Sequence, residues 1–254
     1  MSTKKITKIN GADEDTPQKS TFVPTAEAKG KATQLRMFAI FSWILAIAAE
    51  IGAILVLIKS VKPIETSAWV WMIVFIVIDL MLVVIGSLLW KKANRLDPAS
   101  RKNKVRFFLQ NQLGVIISVI AFLPLVVLIF TNKDLDGKQK GILGGIAIIA
   151  LIIAGLMSAD FNPPSVEEYS QQTSRIEELT GVNSVYWTKS GTKYHINVDC
   201  PHINTSRTEE IFNGTVAKAR ELKNITELCK TCENKAEKAK KLIKKTAETA
   251  RPGE

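Results

Sequence analysis

The sequence predicts an α-helical membrane protein with four transmembrane helices and a small α+β cytoplasmic domain that binds zinc. Two observations predict this fold class. Four long apolar runs between residues 36 and 158 contain almost no charged side chains. A group of cysteine and histidine residues follows them and includes all 3 cysteines and both histidines of the chain. We therefore expect a membrane-embedded part and a metal-stabilised part.

The N-terminal segment, residues 1–35, is polar and mixed in charge, and it shows no helical or strand periodicity. Such a composition predicts a disordered tail. A signal peptide is not expected, because the first apolar run begins only after residue 36 and is too long for the apolar region of a signal peptide.

The four apolar runs form the predicted transmembrane domain, residues 36–158. Each run is close to or longer than the ~20 residues that a helix needs to cross ~30 Å of hydrocarbon. Backbone groups inside a bilayer must bond within the chain, so each run is predicted to be helical. The fourth run is the shortest and is rich in glycine. The predicted spans are residues 37–59, 67–90, 107–131 and 141–158.

The basic residues predict the orientation. Residues 1–36 carry seven Lys and Arg against four acids, and residues 91–106 carry seven against one. The positive-inside rule places both segments in the cytoplasm, and four crossings return the C-terminus to the same side. We expect a multi-pass protein of the plasma membrane, with the lipid bilayer as its first partner. A cytoplasmic tail also keeps thiols reduced and available to metal.

Two acidic residues lie inside the predicted spans. Glu50 is the only charged residue of the first run, and Asp79 is the only one of the second. At 1.5 Å of rise per residue, antiparallel helices would place the two carboxyl groups at similar depths. One interpretation is an intramembrane proton or cation site. The other is a pair of protonated side chains that hydrogen-bond across helices and fix their packing.

Small and polar residues repeat at helical spacing in three of the runs, which predicts faces that pack against neighbouring helices rather than lipid. These faces comprise Ser42, Ala46, Ala49, Glu50 and Ala53 in the first run, Asn111, Gly114, Ser118 and Ala121 in the third, and Gly144, Ala147, Ala150 and Ala154 in the fourth.

The C-terminal part divides into three segments. Residues 159–184 are predicted to be a linker with a short helix that begins after Ser165 as its N-cap and ends at Gly181. Residues 185–233 form the predicted zinc-binding module. Residues 234–254 are rich in Lys and Glu and are predicted to form a C-terminal helix.

The ligands predicted for zinc are His195, Cys200, Cys229 and Cys232. Four residues separate the first pair and two separate the last, so each pair can hold one ion from a single turn of chain. His202 competes with His195 for the fourth position. His195 is favoured because it lies late in an apparent strand, residues 192–196, which is predicted to pair back to residues 185–188 through a turn at Gly191. The alternative is that the cysteines are free thiols or a redox pair.

This window resembles the zinc-binding module of the Ada DNA-repair proteins, which is also fused to bacterial membrane proteins and nucleases. The matching features are Tyr194-His195, Cys200, Gly214-Thr215 before a helix, and Cys229-Lys230-Thr231-Cys232. The resemblance covers about fifty residues and implies the module's fold. In the Ada proteins the first ligand is a cysteine that accepts a methyl group. His195 stands in that place here, so methyl transfer is not expected.

The charge of the chain is +10, yet the part from residue 159 onward carries fifteen basic and fourteen acidic residues. Nucleic acid is therefore only weakly supported as a partner.

Four protein ligands leave zinc no open position, and no motif suggests an enzyme. We expect the zinc domain to serve macromolecular interaction or assembly, through a protein partner or self-association. The alternatives are a small transporter, channel or proton- or metal-responsive protein that uses Glu50 and Asp79, and a membrane-tethered accessory of nucleic-acid processing.

Overall fold

The structure, a computed structural model, describes residues 5–9, 22–58 and 68–249. It is mostly helical, with a small strand-containing region. The chain divides into two compact units. The helical unit is Thr25–Pro164, and the mixed unit combines the N-terminal segment up to Pro24 with Ser165–Glu254.

Four helices make up the helical unit: α1 (Ala26–Leu57), α2 (Ala68–Leu96), α3 (Lys104–Thr131) and α4 (Gly137–Ser158). All four are long and apolar enough to cross a membrane, as the sequence predicts. They extend beyond several of the predicted spans because polar residues cap them. The Asp136 side chain and the Gln139 side chain, for example, form a capping box that starts α4 before residue 141.

The prediction of a disordered segment over residues 1–35 is wrong for its described parts. Lys5–Lys8 forms strand β1, and α1 already begins at Ala26. The side chain of Thr25 accepts a hydrogen bond from the backbone N–H of Ala28 at 3.1 Å and caps this early start. Strand β1 depends on a pairing partner far along the chain, which local composition does not reveal. Residues 10–21 lie outside the described residues.

The helices of the helical unit pack through the faces that the sequence predicts. Each residue of the three small-residue faces, those of the first, third and fourth runs, is buried. At Gly86 of α2 the contact is especially close, because an added Cβ would lie 2.5 Å from Nε1 of Trp43 in α1. Large apolar side chains cover the opposite, outward faces, and many are about half exposed, as are Phe41, Ile85, Leu123 and Ile149.

A chain of buried hydroxyl groups joins three of these helices. Ser158 of α4 lies 2.8 Å from Ser87 of α2 and 3.0 Å from Ser118 of α3, measured between Oγ atoms. The Ser118 hydroxyl also donates to the carbonyl of Gly114 at 2.8 Å. Hydroxyl groups that satisfy one another in this way stabilise helix pairs where water is absent.

The mixed unit contains strands β1 (Lys5–Lys8), β2 (Val185–Thr188), β3 (Lys193–Tyr194), β4 (Glu210–Gly214) and β5 (Glu227–Leu228), and helices α5 (Val166–Thr180), α6 (Val216–Lys223) and α7 (Lys230–Thr249). One sheet has the order β1-β4-β2, with β1 parallel and β2 antiparallel to β4. The other pairs β3 with β5 in parallel.

Helix α5 begins after Ser165, whose side chain accepts from the backbone N–H of Glu168, and ends at Gly181 in the left-handed conformation. Both ends match the prediction. The predicted start of the C-terminal helix at residue 234 is wrong, because α7 begins at Lys230. The helix therefore includes Cys232 in its first turn. Residues 250–254 lie outside the described residues.

The apolar core of the mixed unit lies between its sheet and its helices. Trp187 of β2 is fully buried and stacks on Phe212 of β4, with 6.2 Å between ring centroids. The other members of this core are Ile176, Val185, Tyr194, Val216, Ala219 and Ile225. A second, smaller group surrounds the cysteines and includes Ile203 and Ile211. The cysteine site thus has an apolar wall of its own.

We predict that Gly86→Ala destabilises the helical unit. The new methyl group would overlap the Trp43 ring, which is a rigid side chain in the core, so a loss of about 1–3 kcal/mol is expected. Thermal unfolding of the purified chain in detergent measures this loss. Gly145→Ala is the matched control, because nothing lies within 4 Å of its added Cβ. Equal stability of the two variants would contradict the close contact.

Candidate metal centre

His195 enters the site directly after β3. Its backbone pairs with Tyr186 of β2 as an antiparallel bridge, with N–O distances of 2.6 and 2.7 Å. This pairing through the Gly191 turn was predicted from the sequence. Burial, with a smaller effect of the nearby His202, lowers the pKa of His195 to about 4. The imidazole is therefore neutral at physiological pH and offers a lone pair to a metal ion.

Cys200 lies in the turn that follows. Its N–H donates to the carbonyl of Asn197 at 3.2 Å, and its own carbonyl accepts from the N–H groups of Ile203 and Asn204. The Asn197 side chain accepts from the N–H of Asp199 at 2.8 Å and fixes the start of the turn. Burial raises the pKa of the Cys200 thiol to about 12. A positive ion beside it would therefore be needed to hold it as a thiolate.

Cys229 links the small sheet to α7. Its N–H donates to the carbonyl of Tyr194 at 2.9 Å, and its carbonyl accepts from the N–H of Glu233 at the start of α7. Burial raises the pKa of the Cys229 thiol, but hydrogen bonds from the backbone N–H groups of Cys232 and Thr231 and from the neighbouring thiols together lower it below its ordinary value. A helix N-terminus stabilises a thiolate in this way.

The four side chains meet in one buried cluster. Their ligand atoms all lie within 4.8 Å of one another. The Sγ atoms of Cys200 and Cys229 are 4.0 Å apart, and Sγ of Cys232 is 3.7 Å from Nδ1 of His195. A tetrahedral ion with thiolate bonds of about 2.3 Å separates its sulfurs by about 3.8 Å. The cluster therefore has the size and donor set to hold one metal ion, and its cysteines are not disulfide-bonded.

The choice between the two histidines follows from their surroundings. His202 is exposed, and its Nε2 lies 3.0 Å from Oγ1 of Thr231 rather than at the sulfur atoms. Thr231 stands between the last two cysteines, so His202 covers the outside of the loop that carries them. The structure thus brings His195, and not His202, to the cluster.

Glu50 of α1 and Asp79 of α2 are both buried in the helical unit, at 5% and 1% exposure. The two carboxyl groups lie close enough for a charge on one to act on the other, and Glu50 lies near the backbone of Leu125 in α3. Leu125 follows Pro124, where the helix lacks one regular hydrogen bond. Both carboxyl oxygens of Asp79 and Oε1 of Glu50 have no hydrogen-bond partner among the described residues.

Sequence analysis did not single out Arg220 of α6. Its guanidinium is buried between the rings of Tyr169 and Phe22, at 4.1 and 4.9 Å from their centroids. It donates to the carbonyl of Tyr169 and to the Gln172 side chain at 3.1 and 2.9 Å. Burial lowers the pKa of Arg220 to about 10. No local pattern marks such a residue, because its partners are distant in sequence.

Comparison of this chain with protein-family models, with curated proteins and with solved structures finds no match. The chemistry of the site is therefore inferred from its own ligand atoms. Those atoms form a buried imidazole and three-thiol group that could hold a metal ion. Four protein ligands would complete a tetrahedral shell and leave no position for a reacting water molecule.

We predict that His195→Ala weakens metal binding by at least about tenfold. Loss of a residue that only hydrogen-bonds to a metal ligand already lowers metal affinity about tenfold, and loss of the ligand itself should lower it at least as much. Competition with a colorimetric chelator, on the full chain, measures the affinity. His202→Ala is the matched control, because that ring lies outside the cluster. Equal losses in the two variants would contradict the assignment of His195 as the ligand.

Proposed function

We propose that this chain is an integral membrane protein that presents a small structural zinc domain to the cytoplasm, for interaction with another macromolecule or for assembly. The observation that carries the proposal is the convergence of His195 and three cysteines into one buried group whose ligand atoms all lie within 4.8 Å of one another. Zinc suits three thiolates and an imidazole in a tetrahedral arrangement, and such a closed site stabilises a fold rather than cleaving bonds.

Membrane insertion is supported by the outward faces of the helical unit. Four helices have the required length and hydropathy. Many large apolar side chains of these helices are exposed. Phe38, Met81 and Leu156, for example, are each at least 59% exposed. A surface of this kind is unfavourable in water and suits contact with lipid.

The basic segments support the cytoplasmic side, and a strand pairing supports the placement of both flanking segments on one side of the membrane. The basic segments at residues 1–36 and 91–106 favour that side under the positive-inside rule. Strand β1, which precedes the four helices, pairs with β4, which follows them. Both chain ends then lie on one side of the membrane, as four crossings require. The resemblance to the Ada-type module is part of this proposal and is supported by the ligand spacing.

The test is limited tryptic digestion of the full chain in sealed membrane vesicles, with and without a zinc chelator. In inverted vesicles, chelation should make residues 185–233 sensitive to trypsin while the membrane-embedded parts of the four helices stay protected. The ion would supply much of the folding free energy of such a small module. In right-side-out vesicles the mixed unit should stay protected under both conditions.

Zinc analysis of the purified chain completes this test, with about one ion per chain expected from four ligands. Readdition of zinc should restore protection, whereas magnesium serves as the control because it prefers oxygen ligands. Cleavage of the mixed unit from the outer face would contradict the orientation. A mixed unit that resists trypsin after complete removal of zinc would contradict the structural role of the ion.

A second candidate function is transport or sensing of a proton or cation at Glu50 and Asp79. The specific observation that favours it is the burial of both carboxyl groups with oxygens that lack partners among the described residues. A carboxyl group in that position holds a proton or a cation, and such residues in membranes often mark ion pathways. The alternative is a purely structural role, in which the two protonated side chains hydrogen-bond across helices and fix their packing.

For this candidate, the double variant Glu50→Gln and Asp79→Asn should abolish ion flux in liposomes, because neutral amides neither bind nor release a proton. Fluorescent pH and potential dyes inside the liposomes report the flux. Glu27→Gln is the matched control, since Glu27 is an exposed acid of the same helix. Absence of flux through the unaltered chain, or equal flux in both variants, would remove the candidate.

A further inference from the structure

We propose that a groove between α1, α2 and α3 binds the phosphate headgroup of an anionic phospholipid. The inference rests on membrane insertion as proposed above, but it concerns a site remote in sequence from the metal centre. The groove has a volume of about 640 Å³. Its lining combines two arginines, two amide side chains, a tryptophan and three aliphatic residues: Arg36, Trp90, Asn103, Val105, Arg106, Leu109, Gln110 and Leu113.

The inner wall of the groove is a fixed polar network. Arg36 of α1 forms an ion pair with Asp97 at 2.6 Å and lies over the Trp90 ring at 5.7 Å from its centroid. The Trp90 indole N–H donates to the carbonyl of Gln110 at 2.7 Å, and Asn94 donates to the same carbonyl at 2.8 Å. These contacts connect three helices and hold the wall in one arrangement, so a ligand would meet a preformed surface.

The charge at the mouth of the groove is unbalanced. Asp97 neutralises Arg36, but the first turn of α3 carries Lys104 and Arg106 and no acidic residue. A helix N-terminus carries a partial positive charge, so positive side chains there are unfavourable and an anion is favoured. A phosphate beside Arg106 would offset this charge and could also accept hydrogen bonds from the guanidinium.

The apolar wall decides in favour of a lipid over a small anion. Val105 lies within the basic turn and Leu109 one turn further along the same helix, and they are 70% and 47% exposed. Leu113, one turn further on, continues this wall toward the middle of α3. A free phosphate would leave the apolar surface of these side chains uncovered, whereas an acyl chain would bury it. Basic pockets between transmembrane helices bind anionic headgroups in this manner.

The experiment measures which lipids stay with the full chain after mild detergent extraction from vesicles of equal phosphatidylglycerol and phosphatidylcholine content. Native mass spectrometry gives the ratio of the two lipids bound. The unaltered chain should retain phosphatidylglycerol preferentially. Arg106→Gln should reduce that preference about tenfold, the effect of losing one hydrogen bond from a charged group.

Two further variants separate the groove from general attraction by basic residues. Lys102→Gln removes one positive charge from the loop that precedes α3, outside the groove, and should keep the preference for phosphatidylglycerol. Leu109→Trp fills the groove without changing its charge and should lose the preference, while a tryptophan remains well suited to the membrane interface. Equal effects of Arg106→Gln and Lys102→Gln, or full retention in Leu109→Trp, would overturn the proposal.

Competition distinguishes the source of the phosphate. Excess soluble glycerol phosphate should not displace the bound lipid, because it lacks the acyl chains that the apolar wall would contact. Displacement would overturn the proposal in favour of a free-phosphate site. Release of the chain from membranes by alkaline carbonate would refute the proposed membrane protein itself. An inserted chain that shows no lipid preference would refute the groove alone.

Discussion

The central contact of the mixed unit is the meeting of one imidazole and three thiol groups that could hold a metal ion. His195 arrives from a strand pair, Cys200 from a turn, and the last two cysteines from the start of α7. A backbone hydrogen bond joins Cys229 to Tyr194 beside His195, whereas the described backbone hydrogen bonds of Cys200 stay within its own turn. A single ion at the cluster would connect all three segments at once, and it would stabilise the thiolate that burial alone disfavours at Cys200.

The helical unit is organised by a related constraint, the cost of a polar group without a partner where water is absent. Its contacts use small residues, which allow close approach, as at Gly86 and Trp43. Its hydroxyl groups satisfy one another across helices, as Ser87 and Ser158 do. Asp79 breaks this pattern, because its oxygens have no partner among the described residues. This departure makes it the most informative residue of the unit.

Local patterns were enough to predict the four long helices, the small-residue faces of three of them and the grouping of the three cysteines, because hydropathy, helical spacing and cysteine spacing are local properties of the chain. The sequence favoured His195 over His202 as the fourth member of the cluster, and the structure places His195 there. Only the folded chain reveals the pairing of Lys5–Lys8 with β4 and the early start of α7. These features depend on contacts between residues far apart in sequence, and such contacts leave no local pattern to detect.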